Sequence, residues 1–221
     1  MNNIFHERAS KILDDIREKL FGKDGCKHLE CLEAVGRGEN PFPVSVFDKA
    51  TLEAKDNLIY ITLPPSEGIT GPSWIDYFYE KDFKLSAEAQ VALKSKAFEP
   101  TLPGFVHRIV VLRANFWKKD PERINKDIWA EGVSRKWLET HPEAVCLIRK
   151  CFSDRQLKDM GLEWIVGIHK PIVVLGKPHF LFARRIGETR CLDARNARPD
   201  CEWNEYGAFA WSLPQEISSQ A

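Results

Sequence analysis

Long apolar runs are missing from this 221-residue chain. No stretch approaches the roughly 18 consecutive apolar residues that a membrane-crossing helix needs. Met1 to Phe21 interleaves charged and apolar residues, so it lacks the uncharged core of a secretory signal. Both absences point to a cytoplasmic protein with no membrane partner. Net charge is absent too: 32 Lys+Arg stand against 32 Asp+Glu. With no lysine-rich arm, the electrostatic footprint of a nucleic-acid binder is missing, which disfavours that class. No internal repeat, low-complexity tract or linker breaks the chain. It therefore reads as one domain over 1–214 with a polar, frayed tail at 215–221.

Cofactor motifs are equally scarce. Ser66-Glu67-Gly68-Ile69-Thr70-Gly71 follows a strand pattern and precedes a helix pattern, a position where backbone amides can hold an anion. It lacks the Lys-Ser/Thr ending of a P-loop and the glycine spacing of a dinucleotide fingerprint, so it reads as an ordinary connection and no cofactor is implied. Cys26, His28 and Cys31 bring zinc-ligand types together, but no second pair follows at finger or ribbon spacing, and no metal is expected. Without an export signal the six cysteines are expected as thiols. Cys146 and Cys151 fall five residues apart in a helix pattern, too far for bridging. Cys191, opposite Arg184 in the hairpin described below, is the best-placed nucleophile, because a guanidinium favours the thiolate. It belongs to no nucleophile motif and, like Cys201, reads first as a small buried hydrophobe.

What the chain does carry is punctuated secondary structure. Ile4, Phe5, Ile12, Leu13, Ile16 and Leu20 recur at helical spacing up to Gly22, and a shorter helix follows over 27–35. Residues 36–43 form a loop by composition and Val44–Phe47 a short strand. Strand patterns follow at Asn57–Leu63, Phe105–Arg113, Glu163–His169, Ile172–Leu175, Phe180–Ile186, Thr189–Arg195 and Ala208–Leu213. Ser73 with Asp76 resembles a helix start, and Ser86 opens a helix to Phe98. From Asp120 to Met160 the chain turns helical in short pieces. Asp120-Pro121-Glu122 and His141-Pro142-Glu143 each supply a cap, a first-turn proline and an early acid; Ser153 with Gln156 is a capping box, and Gly161 a terminator. Strands parted by helices, then closely spaced strands, argue an α+β fold: a single domain with a largely antiparallel sheet, flanking helices and a helical lobe (119–160) inserted between strands. Ile59, Ile61, Ile109, Val111, Ile165, Val166, Leu181, Leu192 and Phe209 are the expected core.

The most specific stretch is Phe180 to Arg195. Gly187-Glu188 suits a two-residue primed turn, which pairs 186 with 189, 184 with 191 and 182 with 193. One face then carries Leu181, Ala183, Leu192 and Ala194. The other carries Phe180, Phe182, Arg184, Cys191, Asp193 and Arg195, with Asp193 diagonal to Arg184. Arginine is concentrated in this half of the chain, 3 in residues 1–100 against 11 afterwards, and its planar fork suits carboxylate and phosphate.

Three function classes follow. In the first, a small enzyme or ligand binder takes an anionic small molecule in a cleft where Arg184, Arg195, Asp193 and Phe182 bind. His169, or secondarily His107, would move a proton there, since both imidazoles sit on apolar strands near loops. The bland alternative is a pair of histidines satisfied by backbone groups. In the second class, the same arginines bind RNA or single-stranded nucleic acid with Phe180, Phe182 and Trp203 as stacking platforms. In the third, the aromatic helix around Trp74 and Phe78 docks a protein partner. Composition sets no oligomeric state.

Overall fold

The computed structural model describes residues 50–55, 58–119, 122–187 and 189–214, all within one unit of the chain, 47–221. The described residues run β1 (Thr51–Lys55), β2 (Leu58–Thr62), α1 (Gly71–Glu80), β3 (Lys84–Leu85), α2 (Ala87–Lys94), β4 (Arg108–Arg113), α3 (Asn125–Ser134), α4 (Pro142–Cys151), α5 (Asp154–Asp159), β5 (Trp164–Gly167), β6 (Ile172–Val174), β7 (Lys177–Ile186), β8 (Thr189–Asn196) and β9 (Gly207–Ser212). They build one α+β fold on a single mostly antiparallel sheet, ordered β1-β2-β4-β9-β5-β7-β8-β3, with β6 paired to the start of β7. The parallel pairs are β5 with β9 and β3 with β8.

Both faces of this sheet are covered, which explains why its central strands are apolar at consecutive positions. Ile109, Val111, Ile165, Leu181, Ala183, Ala208 and Ala210 face one core, closed by α1, α2, α4 and α5 through Trp74, Phe78, Leu93, Val145 and Leu157. Val110, Leu112, Val166, Phe180, Phe182, Phe209 and Trp211 face a second, closed by Ile128 of α3 with Trp117 and Trp203. All nine expected core residues are buried, each large side chain contributing roughly 1.5–3 kcal/mol. Close approach also fixes residue choice at the start of β9. A Cβ on Gly207 would lie 2.0 Å from Cδ2 of Trp164, so glycine alone lets that indole lie flat on the strand.

Local signals set most element ends. The His141 imidazole caps α4, its Nδ1 accepting from Glu143 N at 3.2 Å. Ser153 and Gln156 form the reciprocal capping box of α5, and Gly161 follows it at φ 69°. Three expectations are corrected. The cap of α1 is Thr70, accepting from Ser73 N, so Ser73 stands inside the helix. α3 opens at Asn125 with no side-chain cap, beyond the Asp-Pro-Glu tripeptide, whose first two residues are not described. The helical insertion lies between β4 and β5 in the chain, with α3 packed on one sheet face and α4 and α5 on the other. Finally, β4 starts at Arg108, not Phe105. Its neighbour β2 runs into Pro64-Pro65, which lack N–H donors, and pairing continues irregularly through Leu63 N to His107 O and Ser66 N to Phe105 O. The expected helices over 4–20 and 27–35, the 36–43 loop, the 44–47 strand, the Cys26/His28/Cys31 group and the 215–221 tail lie outside the described residues.

Candidate functional site

The hairpin forms in the expected register, Ile186 with Thr189, Arg184 with Cys191 and Phe182 with Asp193, around Gly187 at φ 60°. Arg184 Nη1 lies 3.0 Å from Asp193 Oδ2, and its guanidinium carbon sits 5.8 Å from the Phe182 ring centroid. Arg195 lies over Trp203 at 4.8 Å and donates to Glu202 O at 2.9 Å. Beneath them the buried Arg123 donates to Trp203 O at 3.2 Å and to Trp117 O at 2.8 Å, fixing the loop that carries Trp203 under Arg195. Arg185 Nε donates to Leu162 O at 3.1 Å.

Two contiguous pockets open here. One, of about 370 Å³, includes Arg123, Arg195 and Glu205; the other, of about 140 Å³, includes Arg184, Arg185 and Glu163. They share Arg195, Trp203 and Asn204. Asn204 was not singled out by sequence. Its Oδ1 accepts from Trp164 Nε1 at 2.9 Å and from Tyr206 N at 3.1 Å, which assigns the amide orientation and leaves its NH2 without a partner among the described residues. The site thus combines guanidinium forks stacked on aromatic rings with a spare amide donor.

Neither histidine lines these pockets. His169 is fully buried; its Nδ1 pairs with Lys170 O at 2.8 Å and its Nε2 accepts from Leu181 N at 2.9 Å. Burial holds its pKa down at about 4, against the opposing pull of the Lys170 carbonyl. With both nitrogens engaged it ties the end of β5 to β7, the bland alternative among the sequence expectations. His107 is also buried, 4.8 Å from the Phe105 ring and 5.9 Å from that of His141. Burial, then the nearby His141, lower its pKa to about 4 against Glu143. His107 and His169 do reach the same end of the sheet although β9 separates their strands, and His141 acts electrostatically on both. The arginines lie at the other end. Trp164 pairs with both Arg184 and Gly207, whereas Ile109 pairs with Ser212, so the two groups are separated by the length of β9, roughly 17 Å.

A polar network at the histidine end was not anticipated. Glu143, completely buried at the start of α4, accepts from Ser66 Oγ at 2.9 Å, from Thr101 N at 2.8 Å and from Thr101 Oγ1. The His-Pro-Glu cap signal placed Glu143 at a helix start. Nothing local links it to residues 42 and 77 positions away.

Other expected features are sealed. Phe180, Phe182 and Trp203 are buried in the second core, and Trp74 and Phe78 in the first, so these rings offer neither base-stacking platforms nor a docking face. The Cys191 thiol is buried, and burial raises its pKa more than Arg184 lowers it, the opposite of nucleophile activation. Burial raises Cys146 as well. Among the described residues no cysteine forms a disulfide, no three metal-ligating side chains converge, and no helix is long and apolar enough to cross a membrane. No protein-family model, curated protein or solved structure matches this chain.

Proposed function

We propose that this protein binds a small anionic molecule in the arginine pocket between the β7–β8 hairpin and the Trp203 loop. The observation that carries this reading is the pairing of Arg184 and Arg195, each held over an aromatic ring at the rim of the same pocket. Arg184 engages Asp193 through one nitrogen and Arg195 engages a carbonyl through one, which leaves most of their five donors for a ligand. A pre-oriented fork loses little entropy on gripping carboxylate or phosphate bidentately. Asn204 adds a neutral donor. Glu163 and Glu205 at the margins favour a compact anion over a polyanion running across the surface. Histidine acid–base chemistry is not part of this reading, because no imidazole lines the pocket.

Calorimetric titration with pyrophosphate, citrate and nucleoside monophosphates tests it. Arg184→Lys keeps the charge beside Asp193 but loses the fork, and is expected to weaken the best of these ligands at least tenfold, as is Arg195→Ala. Hydrogen bonds to charged groups are worth roughly 1.5–3 kcal/mol, or about ten- to a hundredfold. Equal affinity in wild type and both variants would remove the arginines from the site.

A further inference from the structure

We infer that the pocket at the histidine end of the sheet is a second, independent ligand site that takes an amphipathic hydroxy acid, with its hydroxyl donating to Nδ1 of His107. The pocket holds about 430 Å³ and is lined by Phe105, Val106, His107, Arg108, Ser212 and Leu213. Three features specify the occupant.

The first is a fixed tautomer. A carboxylate only accepts, so Thr101 Oγ1 donates its proton to Glu143 Oε2. The same oxygen is 3.5 Å from His107 Nε2 and, its proton committed, accepts there. His107 therefore carries its proton on Nε2 and presents Nδ1 as an acceptor. Glu143 also accepts from Ser66 Oγ and from Thr101 N.

The second is an unmet need. Nδ1 has no hydrogen-bond partner among the described residues, yet it is not among the fully sealed unpaired polar atoms. Burial keeps the ring neutral at neutral pH, so this lone pair calls for a donor.

The third is the mixture of walls. Arg108 is exposed in the lining of this pocket, a guanidinium available to a carboxylate. Phe105 and Val106 expose 40% and 37% of their surface beside it, enough for a short aliphatic or aromatic body. A donor hydroxyl, a carboxylate and a small apolar body in one molecule describe a hydroxy acid.

Lactate, 3-hydroxybutyrate and mandelate, each against its deoxy counterpart (propionate, butyrate and phenylacetate), test the site by histidine ¹⁵N NMR, with His107 assigned by His107→Gln. The free protein is expected to show His107 protonated on Nε2. At least one hydroxy acid should shift Nδ1, with its deoxy counterpart at least tenfold weaker. Thr101→Val should bring that ratio close to one, and its spectrum reports folding directly. If His107→Gln does not fold, the loss of the coupled signal in Thr101→Val supplies the assignment. The Trp203 indole N–H reports the arginine pocket separately, so the two sites can fail independently. An Nδ1–H tautomer, a panel that leaves His107 unmoved, or equal binding of each hydroxy/deoxy pair would overturn the inference.

Discussion

His169 and His107 sit at the same end of the sheet and in the same protonation state, for different reasons. The first is saturated by Lys170 O and Leu181 N; the second is backed by Thr101 and keeps one nitrogen open. Both have native pKa values near 4, below the ordinary 6.5. An unfolded chain takes up these protons near pH 6.5 and the native one only near pH 4, so between those values the unfolded state binds more protons. Stability contributed by the neutral rings is therefore complete above about pH 6.5 and is lost as pH falls toward 4, up to about 3 kcal/mol per imidazole. Urea unfolding should give a clearly lower midpoint at pH 5.0 than at pH 7.5, a window above the titration of ordinary carboxylates. An unchanged midpoint would contradict the neutral assignment. His169→Ala leaves a cavity and an unpaired Leu181 N–H, and should destabilise by about 2–4 kcal/mol at pH 7.5 in the same assay. It should also flatten the pH dependence.

Among elements, the hairpin was legible because its information is local. A Gly-containing turn sets the register, and register sets every partner, down to the Arg184–Asp193 diagonal. β1 was invisible for the converse reason: its residues Thr51-Leu52-Glu53-Ala54 are exposed, and at the edge of the described sheet such a strand is marked by polar and charged residues rather than by apolar alternation. β3 is two residues long and exists because β8 offers it a parallel partner. The site divides along the same line. The arginines and their aromatic neighbours could be placed on one face from the sequence, whereas Asn204, and the convergence of Ser66, Thr101 and Glu143, arise only when distant loops meet. The contact of Gly207 with Trp164 is another such meeting. Gly207→Ala would place a methyl group inside the indole's space, and should lower stability by about 1–3 kcal/mol in chemical denaturation. Since Trp164 hydrogen-bonds Asn204, the same change should also weaken anion binding in the arginine pocket. A variant that loses stability while binding at full strength would separate the two.

The described sheet as a whole is organised around β9. β9 pairs antiparallel with β4 and parallel with β5, and its side chains enter both cores. The two pockets lie near its opposite ends. Removing residues 207–221 should abolish cooperative unfolding and near-ultraviolet tryptophan dichroism, because it deletes the centre of the sheet; a sharp transition in that fragment would show that the two halves fold alone.

The position of β9 also sets a timetable. During synthesis β4 emerges about a hundred residues before its partner, an interval of roughly 5–20 s at common elongation rates of ~5–20 residues per second. Throughout that interval the nascent chain presents β4 and then β5 as open, apolar sheet edges, the form in which chains aggregate. Translation thus exposes these edges until β9 arrives, and the protein's yield in a cell should fall when chaperones that hold extended apolar segments are depleted.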